Sequence, residues 1–180
     1  MNFRNVTEKL LAAFTEHNIR YALIGGYAVG LWGVARGTVD MDFLVERDDQ
    51  GKLDLLMESL GFKLRYRSEN VSQFTAPFGE IDFLHAFRSH SLRMLDRAVE
   101  KTLFGNRFAV RVLQPDDLIG LKLQAIANNR DRGHLDMYDI EELMRLHGKT
   151  MDWELLKDYF AIFEMHELYE SFKEKYHATL

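Results

Sequence analysis

The sequence predicts an α/β fold of the α+β kind: a mixed sheet flanked by helices, followed by a helical C-terminal subdomain. Three observations predict it. Over the first half, short apolar runs bounded by glycine or polar turns alternate with helically spaced patterns. Gly105-Asn106 stands between Val99–Leu103 and Phe108–Leu113, as a turn pair stands in a hairpin. From Pro115-Asp116-Asp117 onward every apolar pattern is helical, and proline with acids beside it is a helix-start signal. A boundary near Gln114 therefore divides a mixed core, 1–113, from a helical subdomain, 114–180.

Each element has its own warrant. Leu10, Leu11 and Phe14 recur at helical spacing between Val6 and His17 and predict a helix packed on the sheet. Tyr21–Ile24 is an apolar run halted by Gly25-Gly26, so it reads as a strand, with a short helix from Tyr27 to Gly33 behind it. Val39–Val45 reads as the next strand. Leu53, Leu56, Met57 and Leu60 predict a helix over 52–60, closed by Gly61. Strand followed by helix is, locally, the βαβ rhythm. Phe62–Arg67 and Val71–Ala76 read as paired strands, and Pro77-Phe78-Gly79 turns the chain into the strand Glu80–His85. A short helix over 91–98 precedes the hairpin. Four helices complete the chain, over 116–128, 135–146, 153–163 and 166–175.

Composition narrows the function. The chain has 180 residues, 47% of them apolar, enough for a sizeable core. It has no cysteine, which excludes a disulfide framework and thiolate metal sites. A net charge of −5 argues against a broad basic nucleic-acid surface, although Arg65, Arg67, Arg88, Arg93 and Arg130 leave room for a local patch. The N-terminal stretch is charged and amphipathic, without a signal-peptide pattern. No apolar run approaches the ~18–20 residues of a membrane span. These readings give a cytoplasmic protein with no membrane partner as the expectation.

Two strands carry acids where apolar residues belong. Aspartate is depleted in strands, yet Val39–Val45 contains Asp40 and Asp42, and Glu80–His85 centres on Asp82. Alternation puts Asp40 and Asp42 on one face and Met41, Phe43 and Val45 on the other. If the two strands are neighbours, three carboxylates converge, with Glu80 on the same face. Like charges held together repel unless a cation sits between them or water screens them; a divalent metal is the economical explanation, and oxygen ligands suit Mg2+, or alternatively Mn2+. Gly25-Gly26, between a strand and a helix, lets a phosphate approach bare backbone N–H groups. Phosphate cradle and metal carboxylates together suit transfer of a phosphoryl or nucleotidyl group, with two ions clamping the attacking and leaving oxygens. Arg36 stands four residues before Asp40 and either meets phosphate, steadies an acid or stays solvated. His85, after the third acid, is a candidate to line the site, Glu80 is an extra ligand or a rim charge, and His134, His147, His166 and His177 show no ligand spacing.

Leu23-Ile24-Gly25-Gly26, thirteen residues, then Asp40-Met41-Asp42-Phe43, with Ile81-Asp82-Phe83 downstream, resembles the nucleotidyltransferase signature of the DNA polymerase beta superfamily. The block GGYAVGLWGVARGTVDMDFLV is similar to small prokaryotic nucleotidyltransferases. Asp117-Leu118-Ile119-Gly120-Leu121-Lys122-Leu123-Gln124-Ala125, with Arg130, Asp136 and Asp139, resembles the helical module of the abortive-infection type IV (AbiEii-like) toxin nucleotidyltransferases. The resemblance implies catalytic and metal-binding roles for Asp40, Asp42 and Asp82. It implies nucleotide contacts from Gly25, Gly26, Arg36, Thr38, Lys122, Arg130, Asp136 and Asp139. It further implies a nucleoside triphosphate as substrate, two Mg2+ ions, and an RNA end or a protein hydroxyl as acceptor, with an antitoxin protein as partner. Three departures are visible: Gly26 stands where the signature also allows serine, so a hydroxyl is missing there; the spacer is at the long end; and the chain is shorter than many members of the toxin family.

The residues themselves leave alternatives open. Lys122, between Leu121 and Leu123, is either a directed ammonium or a lysine snorkelling at a helix edge. Asp136 and Asp139 share a helix face and either serve the nucleotide or pair with Arg130 or Arg132. The acceptor is alternatively a small molecule of the antibiotic kind, and a non-catalytic nucleotide-binding module is a third reading. The three carboxylates speak against the last.

Overall fold

The computed structural model describes residues 3–103, 105, 108–129 and 133–177. Two compact units divide it: 1–31 with 36–113, and 32–35 with 114–180.

The first unit is built on a seven-stranded mixed sheet. Helix α1 (Phe3–Glu16) leads into β1 (Tyr21–Ile24), α2 (Gly25–Leu31) and β2 (Met41–Glu46). After α3 (Gln50–Ser59) come three strands in succession, β3 (Lys63–Arg67), β4 (Val71–Ala76) and β5 (Gly79–Ala86). Helix α4 (Ser89–Arg97) then precedes the hairpin of β6 (Val99–Leu103) and β7 (Phe108–Val112). Strand order is β3-β4-β5-β2-β1-β7-β6. Asn106 of the expected hairpin turn lies outside the described residues.

The sheet keeps the expected βαβ rhythm at β2–α3–β3, whose strands run the same way with β4 and β5 between them, and departs from it at β1–α2–β2. β1 and β2 are antiparallel although a helix separates them. The parallel pairing of β2 is with β5, three strands later in the chain. The seven residues of α2 and the irregular loop after it turn the chain back beside β1 rather than across the sheet. The acid strand also begins later than its apolar pattern suggests, at Met41. Val39 is 80% exposed, and Asp40 precedes the first paired residue of β2.

Burial explains the central strands. Every residue of β1 is buried, as expected of a strand covered on both faces. Val6, Leu10, Leu11 and Phe14 of α1 are buried. Phe14 meets Phe43 edge-on at 5.4 Å, Phe43 stacks on Phe83 at 5.7 Å, and Phe74 meets Phe83 edge-on at 5.8 Å. Odd-numbered residues of β2 and β5 thus hold the core, which fixes their even-numbered partners on the other face. The edges are guarded by charge: β3 reads Lys-Leu-Arg-Tyr-Arg and has a register shift between Leu64 and Tyr66.

The second unit contains α5 (Pro115–Asn128), α6 (Gly133–His147), α7 (Trp153–Ile162) and α8 (His166–Tyr176). Asp152 caps α7, accepting from the N–H groups of Glu154 and Leu155. Gly120 of α5 lies under the Tyr159 ring, and the Tyr159 hydroxyl donates to buried Asp117 at 2.6 Å. No helix among the described residues is long and apolar enough to cross a membrane.

Candidate active site

Sheet register builds the site. Asp42 and Asp82 are direct partners on the parallel strands β2 and β5, which places their Cα atoms about 4.8 Å apart across the ladder. Core phenylalanines on both strands turn the two carboxylates to the same face. Asp40 stands two residues before Asp42, outside the strand, and its charge reaches Asp82. Burial pushes the Asp82 carboxyl above its ordinary value; Gln73 and Arg65 oppose that shift, and Asp40 and Glu80 add to it.

The glycine turn closes one side. Gly25 has φ +65°, and a Cβ there would collide with the Asp42 carboxylate. Glycine alone meets both demands. A Cβ on Gly26 would stand 2.7 Å from Thr38 Cβ and 2.8 Å from Thr38 Oγ1. The threonine therefore fills the space of a side chain at Gly26 and brings a hydroxyl to it. Thr38 Oγ1 donates to the Asp40 carbonyl at 3.3 Å, bracing the loop that carries the first acid. Arg36 lies on the same loop and is partly exposed.

Gly25, Gly26, Thr38, Asp40, Asp42 and Asp82 thus come together within the first unit. Lys122, Asp136 and Asp139 come together within the second. Lys122 is buried, not snorkelling: its Nζ lies 2.9 Å from Asp136 Oδ1 and 2.6 Å from Asp139 Oδ2. Lys122 is thus a cationic partner of both acids, where arginine partners were the alternative expected; Arg130 and Arg132 lie outside the described residues.

His85, a candidate to line the site, instead lies on the opposite face of its strand. It is buried beside the core residues Ile81 and Phe83. Its Nδ1 lies 3.0 Å from the Glu69 carbonyl, which only accepts, so Nδ1 carries the proton. Nε2 accepts from the Ser72 hydroxyl at 3.0 Å. Burial lowers the imidazole pKa, in keeping with this neutral form.

Three residues near the acids were not named from the sequence as neighbours of the carboxylates. Gln73 Nε2 donates to Asp82 Oδ2 at 2.6 Å. Arg65 donates to Glu80 at 3.1 Å, so Glu80 serves as a rim charge. The Tyr27 hydroxyl is pushed up by burial and then by Asp40. Only strand register brings Gln73 and Arg65 here, and it is not written in local pattern. A pocket lined by Phe14, Arg20, Tyr21, Asp96 and Arg111 lies by the opposite end of β1 from Gly25.

Whether these carboxylates fit a metal can be tested on their own chemistry. Among the described residues no group of three His, Cys, Asp or Glu is drawn together closely enough to hold an ion. Yet Asp82 Oδ1 is buried without a hydrogen-bond partner, and it stands beside a second carboxylate. Hard oxygen donors, one of them unsatisfied, fit Mg2+. That ion is ordinarily held by one or two carboxylates, with waters and substrate phosphates completing its shell.

A mixed sheet with paired carboxylates on central strands, beside a glycine turn, defines the nucleotidyltransferase class. The chain belongs to the family described as "uncharacterised nucleotidyltransferase", whose family model matches residues 1–170. No curated protein matches it. Among solved structures it is similar to the antibiotic-resistance factor ANT(2'')-Ia, with a TM-score of 0.66, 19% identity, and coverage of 99% of this chain and 100% of that one. It is also similar to the lincosamide antibiotic adenylyltransferase LnuA, with a TM-score of 0.57, 16% identity, and coverage of 81% and 98%. A nucleotidyltransferase-like antigenic protein from Paracoccidioides brasiliensis gives a TM-score of 0.53, 19% identity, and coverage of 93% and 91%. At these identities the likeness is one of fold.

Proposed function

We propose that the chain transfers a nucleoside monophosphate from a nucleoside triphosphate to a hydroxyl acceptor. The observation that carries this reading is the in-register pair Asp42–Asp82, with Asp40 beside it and the bare Gly25-Gly26 turn against Asp42. Asp40, Asp42 and Asp82 would hold magnesium or manganese, two ions by the family resemblance. When bound, the metal supplies neutralisation of the phosphate charge.

The chain's own residues do the rest. Gly25 and Gly26 keep side chains away from the triphosphate, and Thr38 offers a hydroxyl at their edge. Arg36 is placed on the same loop to meet phosphate. Asp82, whose carboxyl is raised by burial, is the base: it takes the acceptor hydroxyl proton. The acceptor oxygen forms a bond to the α-phosphorus, the bond to the β-phosphate oxygen breaks, and pyrophosphate leaves. Positioning supplies most of the acceleration in such transfers.

The acceptor we favour is a small polyhydroxylated molecule of the aminoglycoside or lincosamide kind. Support comes from the likeness to ANT(2'')-Ia and LnuA, which extends over 99% and 81% of this chain. The acidic net charge favours a cationic acceptor over RNA. The toxin-like reading, with an RNA end or a protein as acceptor and an antitoxin partner, rests on the resemblance carried by residues 117–125 with Arg130, Asp136 and Asp139. The test is transfer of label from α-labelled triphosphates to tobramycin, lincomycin, a short RNA and cell protein, with Asp42→Asn as control. Label on tobramycin or lincomycin, lost in Asp42→Asn, supports the reading. Label on RNA or protein moves it to the toxin class, and full activity in Asp42→Asn ends it.

A further inference from the structure

One contact on the acid face has no part in the chemistry above. Gln73 of β4 lies directly across from Asp82 of β5, and its amide donates to Asp82 Oδ2 at 2.6 Å. The other carboxylate oxygen, Oδ1, is buried and has no hydrogen-bond partner. On its second flank Asp82 faces Asp42. A row therefore runs across three strands: an amide, a carboxylate tied by one oxygen, and a second carboxylate.

An unsatisfied buried carboxylate oxygen destabilises the fold, and folds keep such atoms where something else satisfies them. We infer that Gln73 is the positioning residue of this site: its amide fixes the Asp82 carboxylate through Oδ2 and so reserves Oδ1 for a divalent cation. The inference rests on the nucleotidyl-transfer reading and adds a residue to it. The chemistry of the amide suits the task. It is neutral, so it orients Asp82 without neutralising it; a lysine or arginine at this position would act as the counter-ion itself. Its donated hydrogen bond favours the ionised carboxylate, the form a cation needs. Gln73 sits on a regular strand in register with its partner, so its reach is set by the ladder rather than by a loop.

The experiment is a titration with Mn2+ in the absence of nucleotide, followed by the paramagnetic signal of the free ion. The full chain is compared with Gln73→Leu, Gln73→Met, Asp82→Asn and the double variant Gln73→Leu/Asp82→Asn. Outer-shell partners of metal ligands are worth roughly 10–100-fold in metal affinity. Gln73→Leu and Gln73→Met, which keep bulk and lose the donor, are expected to bind Mn2+ about 10–100-fold more weakly. The double variant should bind no more weakly than Asp82→Asn, because Gln73 acts through Asp82. Wild-type affinity in both Gln73 variants overturns the inference. So does an equal loss with and without Asp82, which would mark a merely structural glutamine. Absence of Mn2+ binding in the wild-type chain overturns it too. Wild-type Mn2+ binding weakened in the Gln73 variants, without label transfer to any acceptor, removes the transfer reading and leaves Gln73 in its role.

Discussion

Asp82 combines a charge that the proposed chemistry needs with surroundings that oppose it. Its carboxyl is held above the usual 3.8, first by burial. The folded chain therefore keeps this proton at a pH where the unfolded chain has lost it, so folding is favoured by Asp82 at low pH. That advantage decays as pH rises from about 4 through the folded value. Asp82→Asn removes the charge and can still meet Gln73. We expect it to melt no lower than wild type at pH 7, with the difference closing below pH 4, while transfer is lost. A lower melting point at pH 7 would show that the carboxylate stabilises the fold. At Gly25 the expectation is opposite in sign. Gly25→Ala places a Cβ against Asp42 in a left-handed backbone, a strain of about 1–3 kcal/mol. It should lower the melting temperature and abolish triphosphate binding together, as calorimetry beside thermal denaturation would show.

Between elements, two buried polar clusters join strands and helices. In the first unit His85 of β5 holds Ser72 of β4, and Arg67 of β3 donates to the same hydroxyl at 3.0 Å while pairing with Asp54 of α3. Burial lowers the His85 pKa from 6.5. The unfolded chain then binds this proton at a higher pH than the folded one, so His85 adds stability above pH 6.5 that is lost as pH falls below it. His85→Gln should flatten that part of the stability curve; an unchanged slope between pH 7 and 5 would refute the assignment. In the second unit Lys122 of α5 is a cationic partner of Asp136 and Asp139 of α6. Removing one partner of a buried pair costs about 3–5 kcal/mol. Lys122→Met should therefore loosen the helical unit, seen as lost helix signal on mild heating. Should it keep its stability and lose triphosphate affinity instead, Lys122 serves the nucleotide.

At the scale of the molecule, ligand binding is the readout that tests site and fold together. A ligand at 100 times its dissociation constant stabilises the state that binds it by about 2.7 kcal/mol, roughly 5–10 °C for a chain of this size. Magnesium with the preferred triphosphate should raise the circular-dichroism midpoint by that amount, and Asp42→Asn should erase the rise. Both tryptophans, Trp32 and Trp153, belong to the second unit, so their fluorescence reports that unit alone. A rise seen by circular dichroism and not by fluorescence assigns the stabilisation to the first unit.

The sequence by itself determined which residues could form the site. Aspartates inside apolar strands and a glycine pair after a strand are local signals, because alternation and backbone freedom act within a few residues. Asp42, Asp82, Gly25 and the strands Tyr21–Ile24 and Val71–Ala76 were legible for that reason. The tertiary structure decided what meets what. Pairing register is a long-range choice set by burial of Phe43 and Phe83 on a common core, and it alone put Asp82 beside Asp42 and Gln73 beside Asp82. It also decided that β1 and β2 run antiparallel, that Asp40 stands before its strand and that His85 faces the core. Thr38 was named for the candidate site by resemblance. That its hydroxyl fills the place left at Gly26 was not legible, since twelve positions of chain fold back to bring the two together.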